Sequence, residues 1–299
     1  MKNKSLMGIL FALAGGLCWG FSGTCGEFVF KNYEVNSTWL CSVRILAAGI
    51  ILLAVSLIKY RAQLISLLKN RVDMLRMLLF GIFGLLMSQY CYLTAISYSN
   101  AGTATVLQYL GPVLIMIATC FAHKRLPRIA ELTALVLALG GTFLIATHGK
   151  TDSLSITKEA LIFGLLSALA LVFYTILPAK IIPKYGTIPV IGCGMTVSGI
   201  VLLFAVRPWT YDVSLDLAGV AAISSLIIIG TVLSYTVYLM GVQYAGAVKA
   251  SVASSIEPVS AAVFSALWIG NKFVFLDIVG FACVISAVII LSLTKKNKE

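Results

Sequence analysis

A carboxylate followed by a proline, deep in an apolar stretch, is the clearest group in this sequence that could do chemistry. Glu257 precedes Pro258 about ten residues into a hydrophobic window, roughly 15 Å from either end of a membrane-length helix at about 1.5 Å per residue. The proline has no N–H, so a backbone carbonyl one turn earlier, near Ser254, needs another partner. A carboxylate beside freed backbone could bind a ligand ammonium or hold a proton. The bland alternative is a carboxylate satisfied by neighbouring hydroxyls that only packs two helices.

Helical spacing gathers further polar and aromatic groups around this point. Ser251, Ser254, Ser255 and Pro258 share one face, and Thr105, Gln108, Tyr109 and Pro112 share another. Neighbouring windows offer Ser88, Gln89 and Tyr92, and Ser234, Tyr235 and Tyr238. Hydroxyls among small residues are also ordinary packing groups in a membrane. Amides are more telling, because an amide facing lipid is expensive, so Gln89 and Gln108 are expected to line a cavity. Trp19 lies deep, away from the interfacial belt, beside a glycine face made by Gly16, Gly20 and Gly23. It is either a core filler or a cavity wall. Tyr174 occupies the corresponding depth in the second half and has the same two readings.

The expected binding set is therefore Trp19, Gln89, Tyr92, Gln108, Tyr174 and Tyr235, together with Tyr238, Ser254 and Glu257; Pro112 and Pro258 mark the helix breaks. Glu27 and Arg44 both approach the same surface and read as an outer ion pair, gating or structural. Lys249 is close enough to a helix end to snorkel. His123 and His148 sit in or next to loops. The seven cysteines are scattered singly, with no C-x-x-C pair, so neither a disulfide framework nor a metal site is expected. No cofactor is expected.

These residues sit on a chain that is 60% hydrophobic and 11% charged, with a mean hydropathy of +1.01. A soluble protein could not cover its surface with so few charges. The net charge of +11 sits in short loops between apolar runs, where it orients the chain in a lipid bilayer rather than recruiting nucleic acid. Ten apolar windows can be drawn, at 6–30, 39–58, 77–98, 101–121, 131–147, 160–179, 189–206, 218–240, 247–269 and 276–294. None alternates with period two, so the expected fold is an all-α membrane protein of ten transmembrane helices. The first window is too long for a cleaved leader and reads as an uncleaved first helix.

Residues 88–146 superpose on 234–292 without a gap, at a constant offset of 146. Ser88 falls on Ser234, Tyr92 on Tyr238, Pro112 on Pro258 and Glu131 on Asp277. The chain thus divides into 1–150 and 151–299, five windows each. Five is odd, so the two units insert upside down relative to each other, as inverted repeats. With the N-terminus inside, Lys31, Lys150, Lys158, Arg207 and Lys272 fall outside, Arg44 lies within a window, and the other sixteen Lys and Arg lie inside. Both termini are then cytoplasmic. The link Lys59–Arg76 carries Leu64, Ile65, Leu67 and Leu68 among basic residues and reads as a short amphipathic helix on the inner leaflet. The copies diverge at one telling place: Gly111 precedes the first proline and Glu257 the second.

The pattern resembles the drug/metabolite transporter superfamily, and specifically its ten-helix EamA family. The residues that carry the resemblance are Trp19-Gly20, Lys31, Arg44, and Tyr98 through Ala104 leading to Pro112; in the second half they are Tyr244-Ala-Gly-Ala247, Glu257-Pro258-Val259, Ile269-Gly270 and Gly280. The family usually ends its fourth and ninth helices with Gly-Glu, and here those positions read Lys124-Arg125 and Gly270-Asn271. The resemblance implies a multi-pass carrier of the cytoplasmic membrane with a central cavity between the halves, often an exporter of amino acids or other metabolites. The expected partners are a small-molecule substrate, membrane lipids and, for coupling, protons. No phosphate-binding loop of the Walker type is present, so ATP does not drive it directly. A membrane-embedded enzyme would need convergent nucleophile, base or metal ligands at one depth, and these are missing. A passive channel and an uptake carrier are the remaining rivals.

Overall fold

Apolar length and proline position dictate most of the architecture. A computed structural model describes residues 2–98, 101–150, 157–268, 270 and 274–293. Among these, nine helical stretches are long and apolar enough to cross a membrane, a shorter apolar helix covers Phe275–Ile290, and there is no strand. Their order follows the ten windows. Helix α1 (Lys2–Asn32) leads to α2 (Ser37–Lys59), whose N-cap Asn36 accepts from the Thr38 amide at 2.8 Å. Next come α3 (Arg61–Lys69) and α4 (Arg71–Leu79), which continues through a π-helical turn, Phe80–Leu86, into α5 (Met87–Ser97). The fourth window is split into α6 (Ala101–Gln108) and α7 (Gly111–Ala122), and α8 (Ile129–Thr147) closes the first unit.

The second half of the chain follows a similar order, with its short helix one place earlier. Helix α9 (Lys158–Ile176) and the short α10 (Ile182–Tyr185) precede α11 (Thr187–Val206). Helix α12 (Leu217–Ile227) runs through a second π-helical turn, Ile228–Leu233, into α13 (Ser234–Ala245). The ninth window is split into α14 (Ala247–Ala253), a 3₁₀ turn at Ser254–Ile256 and α15 (Glu257–Trp268), and α16 (Phe275–Leu293) ends the described chain. Helices α7 and α15 start at Gly111 and Glu257, the offset of 146 found in the sequence. A π turn inserts an extra residue into the helical ladder and re-phases the residues after it. In both units the re-phased stretch is the one with the polar and tyrosine residues, Ser88 to Tyr92 and Ser234 to Tyr238.

Sequence neighbours are not the closest spatial partners. Helix α1 runs antiparallel along α13, with Gly8 against Ala245 and Gly15 against Ser234 and Tyr238, and it also crosses α15. Helix α9 packs in turn on α5, α6 and α7 of the first unit. Each unit's first helix therefore docks on the other unit's third and fourth segments. Two further contacts join the units: α2 lies antiparallel to α11, with Gly49 at Thr196 and Gly199 at Leu46, and α8 meets α16 where Gly141 faces Gly280. At such sites the absent side chain is what lets the backbones approach.

Two expectations about the inner end change. The Lys59–Arg76 link does form a helix, α3, but Leu64 and Leu67 are buried in the protein core, leaving Ile65 and Leu68 exposed. The apolar face is shared between protein and surroundings rather than laid wholly on a leaflet. Lys249 is only 7% exposed, so it is packed inside rather than snorkelling. Asn271, Lys272, the tail lysines Lys295, Lys296 and Lys298, residues 99–100 and residues 151–156 of the linker lie outside the described residues.

Candidate functional site

The break in the ninth window builds the site. The prolyl nitrogen of Pro258 cannot donate, and the backbone answers by tightening: the Glu257 amide closes a 3₁₀ bond to the Ser254 carbonyl. The freed carbonyl near Ser254 is thus satisfied within the chain, not by a ligand. Ser254 Oγ is also committed, donating to the Ser251 carbonyl at 2.9 Å. Helix α1 seals one side of the break. A Cβ added to Gly16 would lie 2.6 Å from the Ser254 carbonyl oxygen, and one on Gly20 would collide with Ser260 Oγ and lie 2.7 Å from the Glu257 carbonyl oxygen. Gly23, one turn further, has no such neighbour, so the glycine face is half contact surface and half open wall.

Into the space left by the break projects the Glu257 side chain. Its Oε2 accepts from Tyr109 Oη at 2.9 Å, which ties the second broken helix to the first. Tyr92 Oη and Thr105 Oγ1 are 2.9 Å apart on the same wall. On the facing side Arg44 donates to Gln89 Oε1, and Gln89 Nε2 donates to the Tyr235 hydroxyl, a chain from α2 through α5 to α13. The Nε of Arg44 is buried and has no hydrogen-bond partner among the described residues. Gln108 borders the same cavity.

Below Glu257 four aromatic rings form a floor. Trp19 lies 5.1 Å from Tyr238 and 5.2 Å from Tyr235, the latter edge-on at 80°. Tyr174 stacks on Tyr238 at 5.5 Å and meets Tyr235 edge-on at 5.4 Å. These are the offset and edge-to-face arrangements aromatic rings prefer, a rigid base for little conformational cost. Tyr238 Oη lies 3.3 Å from Thr175 Oγ1. Two polar atoms of the floor, Trp19 Nε1 and Tyr174 Oη, are buried without a partner among the described residues. Buried polar atoms are nearly always bonded, to protein or to ordered water.

Apart from Gly16, Thr175 and Ser260, these groups line one cavity of about 1350 Å³. Every residue expected at the site borders it: the binding set, both prolines, and Glu27 and Arg44. At the far end it reaches Phe30, Lys31, Val35, Ser37, His148 and Asp277, so it opens on the face where α1 ends and α2 begins. In the other direction it ends at the aromatic floor. Beneath the floor, a core built by Ile9, Ala12, Leu239, Val242, Ala250 and Ala253 fills the bundle.

The geometry separates several of the expected roles. No ion pair joins Glu27 to Arg44: Glu27 Oε2 accepts from Ser265 Oγ at 3.2 Å, while Arg44 turns inward to Gln89. Their similar depth did not set their azimuth, and Arg44 meets the amide of Gln89 instead of the carboxylate. At the mouth His148 Nδ1 lies 2.8 Å from Asp277 Oδ1, a contact across α8 and α16 that the loop position of His148 did not reveal. The binding set also omits Tyr109. Its signal is there, three residues before Pro112 on the same face as Gln108, but its partner is 148 residues away. Among the described residues no group of three or more His, Cys, Asp or Glu could hold a metal ion.

Known proteins match this chain along its whole length. The model of the EamA-like transporter family fits residues 6–147 and again 158–293. A Salmonella typhimurium protein named "Uncharacterized inner membrane transporter YicL" is 40% identical over 293 residues, 97% of each chain. The Bacillus subtilis "Uncharacterized transporter YetK" is 24% identical over 99% of this chain and 90% of its own. A solved crystal structure superposes with a TM-score of 0.79 over 95% of both chains at 15% identity, a likeness of fold alone. With both matched halves lining the cavity, this chain belongs to the EamA-like transporter family.

Proposed function

We propose that this transporter is a secondary active carrier of the cytoplasmic membrane that exports amino acids or related small metabolites by alternating access, with protons as the candidate coupling ion. In this reading ten transmembrane helices form two inverted five-helix repeats, residues 1–150 and 151–299, with both termini in the cytoplasm. The recurrence of helix break and proline at an offset of 146, each preceded by a π turn, supports it. So does the family match in two blocks of similar length.

The observation that carries the reading is the shape of the cavity around Glu257. It reaches one face and stops at packed aromatic rings, with a filled core beyond. A site accessible from one side at a time is what alternating access requires, whereas a channel needs a continuous path. In that site Glu257 is held by a neutral phenol, Tyr109, and no basic side chain lies within ion-pair distance of it among the described residues. An unpaired charge at this depth is expensive and is retained where a cationic group or proton completes it.

Counterflow in proteoliposomes tests the proposal. Liposomes loaded with an unlabelled amino acid are expected to accumulate the labelled one transiently and saturably, and Glu257→Gln to abolish that accumulation. Flux that rises without saturation and ignores the substitution would replace the carrier with a passive facilitator.

A further inference from the structure

Glu257 is not the cavity's sole unpaired deep charge. Arg44 borders the same space, and no carboxylate lies within ion-pair distance of its guanidinium among the described residues. It is held by a neutral amide, Gln89, which Tyr235 holds in turn from behind, and its Nε has no partner among those residues. Glu257 is held by a neutral phenol. The remaining charged groups on the lining, among them Lys31, His148 and Asp277, gather at the mouth. The deep cavity thus presents one fixed cation and one carboxylate that form no ion pair with each other, each oriented by an uncharged neighbour.

Resting on the carrier reading above, we infer that Arg44 is the carboxylate-recognition residue of the transport site, so that the preferred substrate is a zwitterion carrying both an ammonium and a carboxylate. The physical case is one of compensation. A guanidinium in a low-dielectric wall is costly to leave unpaired, and its planar fork matches a carboxylate bidentately. Its amide support from Gln89 engages Nη2 and fixes the fork on the cavity wall. A substrate with only an amine would satisfy Glu257 and leave Arg44 buried and unpaired; one with only a carboxylate would do the reverse. Rejection of an analogue that leaves a buried polar group unmatched is stronger than rejection by shape. The aromatic floor then receives whatever apolar side chain the zwitterion carries.

The test uses full-length protein in detergent and follows thermal shift with four matched sets of probes: alanine, leucine, methionine and phenylalanine, each beside its decarboxylated amine and its deaminated acid. Wild type is expected to be stabilised by at least one amino acid and at least tenfold less potently by the matching amine and acid. Arg44→Gln should remove the preference for the amino acid over the amine, and Arg44→Lys should restore it only in part, because a point charge lacks the fork. The melting temperature of each variant without ligand reports whether it has folded, and Gln89→Ala serves as a second, milder perturbation, expected to weaken the same discrimination. The inference is overturned if the amine binds wild type as well as the amino acid, if Arg44→Gln leaves the discrimination intact, or if no zwitterion binds. Amine binding as tight as that of the amino acid, yet lost in Glu257→Gln, would sink the Arg44 assignment while sparing the Glu257 site; an absence of both binding and saturable counterflow would sink both.

Discussion

At the break between α6 and α7 the residue before the proline is Gly111, and at the break between α14 and α15 it is Glu257. The two positions are equivalent in sequence and opposite in packing. A Cβ on Gly111 would sit 2.8 Å from Leu171 Cδ1, so here the helix crossing from the other unit supplies the bulk and the broken helix must be bare. At the second break the roles are exchanged. The crossing helix α1 is bare at Gly16 and Gly20, and the broken helix carries side chains, Glu257 and Ser260. Which partner gives up its side chains decides which break faces a cavity with a charge on it. The two breaks thus differ in which partner is bare: the broken helix at Gly111, the crossing helix at Gly16 and Gly20.

The same contrast recurs at the periphery. At one end Asp73, buried at 1% exposure, accepts from Arg76 at 2.9 Å, Lys184 at 3.0 Å and Tyr185 at 2.9 Å, locking α4 to α10. At the other end Tyr33 donates to Asp216, which is exposed and caps α12 by accepting from the Gly219 amide at 2.8 Å. The tyrosine–aspartate motif is shared, but two cations reinforce it only at the end the cavity does not reach. Likewise Arg125 grips Glu131 through two bonds of 2.8 and 2.9 Å, whereas the equivalent Asp277 is met by His148. The closed end carries the stronger polar contacts.

The sharpest way to break the comparison is to remove the asymmetric charge. Glu257→Gln is expected to cost at least tenfold in apparent affinity for an ammonium-bearing ligand, about 1.4 kcal/mol or more, read by thermal shift or equilibrium binding. Filling a bare position should come next. Gly20→Ala places a methyl against Ser260 and the backbone of α15 and should destabilise by about 1–3 kcal/mol in denaturant titrations, as overpacked cores do. If instead it is neutral, the close approach of α1 to the second break is not what shapes the cavity. Among the peripheral pairs, Asp73→Asn should lower the melting temperature more than Asp216→Asn, because the first strands two cations and a buried hydroxyl while the second loosens an exposed cap. An equal or reversed order would contradict the closed-end argument.

The smallest effect is one of pH. The Tyr33 hydroxyl, followed by the Gly219 amide, holds the Asp216 carboxyl below the usual carboxylate range. A lowered value means the ionised cap stabilises the fold at neutral pH, and that contribution is lost as pH falls below about 4 through the folded-state value. Wild type should therefore melt slightly higher than Asp216→Asn at pH 7, and the two curves should converge in acid. Curves that stay parallel down to about pH 3, below the ordinary aspartate range, would remove the carboxylate from the account.

Much of this was legible in the sequence because membranes leave few options. Window lengths, the offset of 146 and the two prolines located the helices and their breaks, and cost arguments picked out Glu257, Gln89, Gln108 and Trp19, all of which border the cavity. What the sequence withheld was azimuth and exchange. Helical phase across a π turn cannot be read from spacing, so nothing indicated that Arg44 faces Gln89 rather than Glu27. The docking of α1 on α13 and α15 depends on backbone approach at Gly8, Gly15, Gly16 and Gly20, visible only as a glycine-rich face. Tyr109 stood on the expected face but was one aromatic among several until its distant partner was known.

Equilibrium binding of a radiolabelled amino acid to purified wild type and to Glu257→Gln, with stoichiometry determined for each, addresses the central claim most directly. A single charged break predicts one saturable site per chain that disappears in the variant while its melting temperature without ligand is retained. Two equivalent sites per chain, or one site that survives the substitution, would contradict it.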